Sequence, residues 1–324
     1  MRLVLCYPVE PRHIDQIRSV APDFEICDAG QERVATELPN CDLFCGHPKV
    51  PVDWDRVVAG GRLKWIQSSA AGLDHFLVPS VIESNITVTS ASGVLADQVA
   101  EQTYALLLGL LRGLPVFFRA QQKREFIRRP TRDLHFQTVG IVGLGGNGRR
   151  LVEVLTPWKV RILATDHFPV NKPAGVEELW PADKLIDLAR QVDILILAAP
   201  LTPTTRGMID RRVLGAMKRG SILVNVARGG LVVEEDLVNA LASGHLWGAA
   251  VDVTATEPLP VESPLWELPN VIITPHVGGQ FAKRIDQMTD FFCENLNRYL
   301  AGKPLNNLVD KRLGFPVPEI CRGS

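Results

Sequence analysis

The sequence predicts an α/β fold, with parallel sheets wrapped by helices, on three observations. Short apolar runs rich in β-branched residues alternate with helical patterns along most of the chain. One of those runs, at 139–142, leads straight into a glycine triplet and then into a segment long enough for a helix. The 324 residues are enough for two domains of ordinary size.

Taken in order, residues 3–6, 43–45, 63–67 and 86–88 read as short buried strands, being too brief for helices and bounded by turn residues. The helical stretch at 97–111 follows, with Val99, Leu106, Leu107 and Leu110 among its apolar positions. The Arg- and Lys-rich segment 119–133 then leads to a second series of strands at 139–142, 162–164, 194–197, 222–226, 249–253 and 271–273. A helix at 234–242 stops before Gly244, as helices commonly do. The last long helix is expected at about 281–300, and the tail from Lys311, with Pro316, Pro318, Gly323 and Ser324, is expected to be loosely ordered.

Composition narrows the function classes. With 35 Lys and Arg against 36 Asp and Glu, no bulk charge draws the chain to nucleic acid or to an anionic membrane. The apolar runs stop far short of the ~20 residues a bilayer span needs, and the N-terminal run is too short for a signal-peptide core. A cytoplasmic location is therefore expected. The six cysteines stand at 6, 27, 41, 45, 293 and 321, without a second Cys or His pair at zinc spacing, so they are expected to be thiols and no metal is expected.

Gly143, Gly145 and Gly148 stand at G-x-G-x-x-G spacing directly after a strand. The first glycine permits the tight turn, the second lets a pyrophosphate approach the backbone, and the third lets the helix pack on the strand. Gly146 and Asn147 complete the turn, and the helix N-terminus offers N–H groups and a positive dipole end to phosphates. A second strand ends at Asp166, 18 residues after Gly148, near where an acid meets the adenine ribose. A carboxylate there accepts from a free 2′-hydroxyl and repels a 2′-phosphate, which favours NAD over NADP. Arg149 and Arg150 open the helix, where a cation is unfavourable unless neutralised, so one of them is expected to face the pyrophosphate.

Three later segments each deliver one ionisable side chain where a strand gives way to a loop: Arg228, Glu257 and His276. Arginine can hold a carboxylate through two hydrogen bonds and polarise a neighbouring carbonyl. Histidine can give or take a proton near neutral pH, and a carboxylate beside it favours the charged ring. Taken singly, each residue has a structural explanation, as a loop salt bridge, a solvated turn or a buried histidine. In this order behind a dinucleotide fingerprint, they form a set suited to hydride transfer to a keto acid.

In sequence order, the chain resembles the D-isomer-specific 2-hydroxyacid dehydrogenase family. The matching segments are Val99-Ala100-Glu101, the glycine turn, Ala199-Pro200-Leu201-Thr202 with Thr205, and Asn225-Val226-Ala227-Arg228-Gly229. Gly248-Ala249-Ala250-Val251-Asp252-Val253 with Glu257-Pro258, and the run from Pro269 to His276, complete the match.

The resemblance implies two Rossmann-like domains, flavodoxin-like and NAD-binding, with an active-site cleft between them. Residues 1–97 and 281–324 would form the substrate-binding domain and 98–280 the NAD-binding domain. It also implies a homodimer. Arg228 would bind the substrate carboxylate and carbonyl, Glu257 would pair with His276, and His276 would protonate the oxo oxygen. Asp252 would contact the nicotinamide carboxamide. Ala199, Pro200, Thr205, Ala227 and Gly279 would line the cofactor groove. The N–H groups around Ala71 and Gly72, in the segment from Ser68 to Asp74, would hold the carboxylate. His47, Leu73 and His75 are the loosest nominations, for substrate selection; an exposed loop is the simpler account of His47.

The chain departs from the family at Asn147, at Ala91-Ser92-Gly93, and at the tryptophan usually found ahead of the cofactor domain, near which Phe126 stands here. The substrate therefore does not carry over. Formate dehydrogenases of the family pair the histidine with glutamine, which Glu257 argues against, and phosphite dehydrogenases carry a lysine where Ala71 stands. The remaining alternative is an NAD(H)-sensing binding protein of the corepressor kind on the same scaffold.

Overall fold

A computed structural model describes residues 1–73, 75–318 and 321. Two compact units emerge: Met1–Leu95 with Phe281–Ser324, and Ala96–Gln280. The elements of the first part of the chain are β1 (Arg2–Cys6), α1 (Pro11–Val20), β2 (Glu25–Asp28), α2 (Gly30–Glu37), β3 (Leu43–Gly46), α3 (Trp54–Ala59), β4 (Trp65–Ser68), α4 (Pro79–Glu83) and β5 (Thr87–Thr89). The second unit contains α5 (Ala96–Leu111), α6 (Leu114–Gln122), β6 (Thr138–Val142), α7 (Gly146–Leu155), β7 (Arg161–Asp166), β8 (Glu178–Pro181), α8 (Leu185–Ala189), β9 (Ile194–Leu197), α9 (Arg211–Ala216), β10 (Ile222–Asn225), α10 (Glu234–Ala242), β11 (Gly248–Val251) and β12 (Val271–Ile273). The chain then returns to the first unit through α11 (Arg284–Leu300), β13 (Val309–Asp310) and β14 (Phe315–Pro316).

The first unit is a parallel sheet in the order β2-β1-β3-β4-β5, the flavodoxin-like arrangement. Its central strands are buried on both faces, which explains their unbroken apolar character. Val4, Phe44, Ile66 and Val88 pack with Trp54 and Phe76 on one face, while Leu3, Leu5, Leu43 and Trp65 pack with Ile17, Phe292 and Leu296 on the other. The tail departs from the loose order expected of it. The short strands β13 and β14 pair antiparallel, and Lys311 donates Nζ to the carbonyls of Val81 and Ser84, which ties this stretch to α4. Gly323 and Ser324 lie outside the described residues.

The second unit is a seven-stranded parallel sheet in the order β12-β11-β10-β9-β6-β7-β8. Counted from β6, this is the 3-2-1-4-5-6 dinucleotide-binding order with one strand added, and its switch point lies between β6 and β9. Leu106, Leu107, Leu110 and Leu111 of α5 are buried in this unit's core. No single helix among the described residues is long and apolar enough to cross a membrane, although α5 and α6, bent by 69°, pass that test as a pair.

Two of the four outer strands of these sheets, β2 and β8, were not legible in the sequence. Each has one neighbour in its sheet and carries charged or half-exposed residues, so its apolar signal is weak. No disulfide forms among the described residues. Burial pushes Cys6 and Cys293 up to about 11 and Cys41 up to about 12, which makes them poor nucleophiles at neutral pH.

Candidate functional site

The glycine turn has the geometry that the three glycine roles require. At Gly143 the backbone takes φ +96°, and a Cβ there would lie 2.8 Å from Ala199 Cα, so neither side chain nor ordinary backbone fits. A Cβ on Gly148 would lie 2.0 Å from the carbonyl oxygen of Gly143. A Cβ on Gly145, in contrast, would meet nothing within 4 Å, which leaves open space at the N-cap of α7. Closed at the first and third glycine and open at the second, the turn fits a pyrophosphate. Gly146 and Asn147 form the first positions of α7.

Asp166 ends β7 and also braces this turn, a role the sequence did not reveal. Its Oδ2 accepts from the Leu144 N–H at 2.6 Å and its Oδ1 from the Phe168 N–H at 2.8 Å. A carboxylate has about four acceptor positions, so capacity remains for a ribose hydroxyl.

The expectation that Arg149 or Arg150 faces the pyrophosphate is corrected. Arg149 donates to the carbonyls of Asn171 at 2.8 Å and Val170 at 3.2 Å. Arg150 lies 2.5 Å from Asp97 of α5 and 2.6 Å from Glu153. Asp97 and the carbonyls of Val170 and Asn171, all outside the local sequence window, join the neighbouring Glu153 in supplying the neutralisation that the helix terminus demanded.

The three later loops come together within the second unit. Glu257 Oε2 lies 2.8 Å from His276 Nδ1, with the two side chains 40% and 46% exposed, so the pair is open to a reactant. Glu257 Oε1 accepts from the Thr254 N–H at 3.2 Å, which fixes the carboxylate. With Nδ1 engaged, Nε2 is the nitrogen left for chemistry. The 228 loop is clamped by Asn225, buried at the end of β10: its Nδ2 donates to Arg228 O and its Oδ1 accepts from Ala227 N. Behind Arg228, Gly229 packs on the backbone of the glutamate loop so closely that a Cβ would lie 1.9 Å from Thr254 C. Arg228 itself is half-buried and donates Nη1 to Ala227 O at 2.7 Å.

Asp252 is the hub of the histidine loop. It is 2% exposed; Oδ1 accepts from Thr274 Oγ1 at 2.6 Å and Val277 N at 3.0 Å, and Oδ2 accepts from Gly278 N at 2.8 Å. Gln102 of α5 joins through Nε2, 2.9 Å from Thr274 Oγ1. Asp252 O also accepts from the His276 N–H at 2.7 Å. These ties hold His276 at φ +55°, a left-handed conformation that non-glycine residues adopt only when their surroundings enforce it. Sequence reasoning assigned Asp252 a contact but missed Asn225, Gln102 and Thr274 as the residues that position Arg228 and His276. The Asn in Asn225-Val226-Ala227-Arg228 was the one local signal available.

Of the other groove nominations, Ala199 is buried behind the glycine turn, and Pro200 and Thr205 are joined by a 2.7 Å hydrogen bond from Thr205 Oγ1 to Pro200 O. Ala227 and Gly279 are half-buried.

In the first unit, Ser69 and Ala70 are held at the carboxyl end of β4: Ser69 N donates to Gly46 O, Ala70 N to Ser68 Oγ, and Ala91 N to Ala70 O. The next two N–H groups, of Ala71 and Gly72, have no acceptor among the described residues, as an anion-binding turn requires. Asp74 lies outside the described residues. His47 is not the exposed loop histidine expected. It is half-buried, with its ring centroid 3.5 Å from that of His75, because the β3 and β4 loops are neighbours at this edge. Leu73 is buried in the core beside Phe76, which removes it from any list of exposed selectors.

Known proteins resemble this chain in sequence and in fold. The family model of the D-isomer specific 2-hydroxyacid dehydrogenase NAD binding domain matches residues 104–278. A glyoxylate reductase/hydroxypyruvate reductase of Homo sapiens is 34% identical over 253 residues, covering 76% of this chain and 77% of that protein. A D-3-phosphoglycerate dehydrogenase of Mycobacterium bovis is 32% identical over 298 residues, 90% of this chain but 55% of its own length, so the chain spans about half of that relative. The crystal structure of a D-isomer specific 2-hydroxyacid dehydrogenase from Xanthobacter autotrophicus Py2, in complex with NADPH and MES, superposes with a TM-score of 0.83 at 28% identity, covering 97% of this chain and 99% of its own. The chain belongs to the D-isomer specific 2-hydroxyacid dehydrogenase family.

Proposed function

We propose that the protein reduces a small 2-oxo acid, of the glyoxylate or hydroxypyruvate kind or larger, to the D-2-hydroxy acid with NADH. The observation that carries this reading is the 2.8 Å Glu257–His276 pair, set beside the clamped Arg228 loop in a unit with a dinucleotide fingerprint. Arg228 binds the carboxylate and draws electron density from the carbonyl. Reduced nicotinamide, when bound, supplies the hydride that the carbonyl carbon takes up. The oxo oxygen gains electron density as that bond forms, and His276 gives it the proton from Nε2. Glu257 holds the ring through Nδ1, 2.8 Å away, and so orients Nε2. Ala71 and Gly72 offer the carboxylate two backbone N–H groups.

Gly143, Gly145, Gly146, Asn147 and Gly148 would hold the dinucleotide's pyrophosphate, Ala199, Pro200, Thr205, Ala227 and Gly279 would line its groove, and Asp252 would contact the nicotinamide carboxamide. Asp166 favours NAD over NADP, and this preference is open to test because the Xanthobacter relative holds NADPH. In Asp166→Ala the ratio of kcat/KM for NADH over NADPH is expected to fall about tenfold, equivalent to ~1.4 kcal/mol. Both KM values should rise as well, because Leu144 loses its tether. An unchanged ratio would assign ribose reading to another residue. A homodimer is the expected assembly and the cytoplasm the expected location.

The direct test is NADH and NADPH consumption by the purified protein against glyoxylate, hydroxypyruvate, pyruvate and branched and aromatic 2-oxo acids. His276-dependent turnover of one of them supports the dehydrogenase. NADH binding without turnover of any moves the reading to the NAD(H)-sensing alternative.

A further inference from the structure

Arg284 opens α11 in the first unit with a charge that no carboxylate among the described residues balances. Its side chain is half-buried, Nε is shielded from solvent without a hydrogen-bond partner, and no carboxylate among the described residues pairs with it. Burial lowers its pKa, and no acid acts in the opposite direction. Its position makes the arrangement worse, since the first turn of a helix is the positive end of the dipole. One turn on, Gln287 Oε1 is also buried without a partner. An amide there can present N–H after a flip, so two donors lie at i and i+3 on adjacent parts of one face.

The contacts of α11 settle where that face lies. On one flank Asp286 and Asp290 reach α1, at His13 and Gln16, both at 2.7 Å. On the other flank Asn295 donates to Gln67 of β4 at 2.9 Å. Arg284 precedes Asn295 by eleven residues, which is three turns plus about 20° at 3.6 residues per turn. It therefore shares the stripe that faces β4, about 16 Å further toward the helix start. That start lies past the carboxyl ends of the strands: Thr289 meets Tyr7, just beyond β1, and Asp286 meets the first turn of α1. The same edge carries the Ala71–Gly72 turn after β4 and His47 after β3.

We infer that Arg284, with Gln287, binds a second anionic group on the substrate, so that the preferred substrate is a 2-oxo acid carrying a distal carboxylate or phosphate. This rests on the oxidoreductase reading above, in which the N–H groups of Ala71 and Gly72, on the same edge of this unit, take the carboxylate next to the carbonyl. A carboxylate or phosphate oxygen supplies the acceptor that the guanidinium lacks and the charge that the helix terminus favours.

The test compares 2-oxoglutarate and phosphohydroxypyruvate with 2-oxopentanoate, which matches the first in chain length but ends in a methyl group. The wild-type protein should have the highest kcat/KM with one of the two acids that carry a distal anion, which also identifies the anionic group. Arg284→Gln should lose about 30-fold on that acid, mostly through KM, the size expected for a charge-assisted pair. The loss on 2-oxopentanoate should be at least tenfold smaller, and Arg284→Lys should recover part of the difference. A preference for 2-oxopentanoate, or equal losses on both, overturns the inference.

If no 2-oxo acid is reduced, the activity reading fails, and the anion site is judged separately by thermal shift of the full chain. Inorganic phosphate should then raise the Tm of the wild type and not of Arg284→Gln; equal shifts overturn the site. Arg284→Met without ligand should keep or raise the Tm, because it removes an unpaired buried charge. A drop would assign Arg284 a structural role instead.

Discussion

Replacing His276 with alanine lowers kcat by about 10²–10⁴-fold, the range set by loss of a positioned general acid. NADH affinity is expected to stay close to that of the wild type, since His276 is proposed as the proton donor and not as a main cofactor anchor. Stopped-flow turnover and fluorescence titration of NADH separate the two effects, and near-normal turnover would remove His276 from the reaction. Alanine occupies the left-handed region less readily than histidine, so at φ +55° the substitution disturbs the loop as well as the chemistry. His276→Asn is the better control, because asparagine tolerates the left-handed region and cannot act as the acid. It should be as inactive as the alanine variant but closer to wild type in Tm. Glu257→Gln keeps a polar group beside Nδ1 and loses the negative charge; it should lower kcat by about tenfold or more while KM for NADH holds.

The second large effect is expected at Gly229→Ala. A methyl group at that position would lie 1.9 Å from Thr254 C and O and 2.5 Å from Ala255 N. These are backbone atoms, so no side chain can swing aside, and either the Arg228 loop or the Glu257 loop must shift. Overpacking of this kind costs about 1–3 kcal/mol in stability, and here it also separates Arg228 from the Glu257–His276 pair. Loss of most activity with a lowered Tm is the expected result. Gly215→Ala provides the contrast. Gly215 lies inside α9 with nothing within 4 Å of the added methyl, so this variant should gain about 0.5–1 kcal/mol through helix propensity and leave activity intact. A fully active Gly229→Ala would show that the two loops do not need their close approach.

The comparison between Gly229 and Asp252 shows how far local sequence carries. Gly229 could be identified only as part of a loop, because what makes it indispensable is the backbone of residues 254 and 255, which β11 brings beside β10. Asp252 was expected to contact the nicotinamide, and that proposal stands beside a structural role built from Thr274, Val277, Gly278 and Gln102. Gln102 lies 150 residues from Asp252 in the chain, so no local window could pair them.

The sequence by itself determined the α/β class, the buried strands of both sheets, the glycine turn and the order in which Arg228, Glu257 and His276 follow it. These features are written in short-range signals: apolar period, β-branching, and glycine where a backbone must turn tightly or be approached closely. The tertiary structure alone decided the outer strands β2 and β8, the partners of Arg149 and Arg150, and the burial of Leu73. It also decided the ties that hold His276 at positive φ and the unbalanced position of Arg284. Each of these depends on which residues distant in sequence become neighbours through strand order and helix orientation. Periodicity cannot specify that, because one amphipathic pattern fits several packings and only the assembled core selects among them.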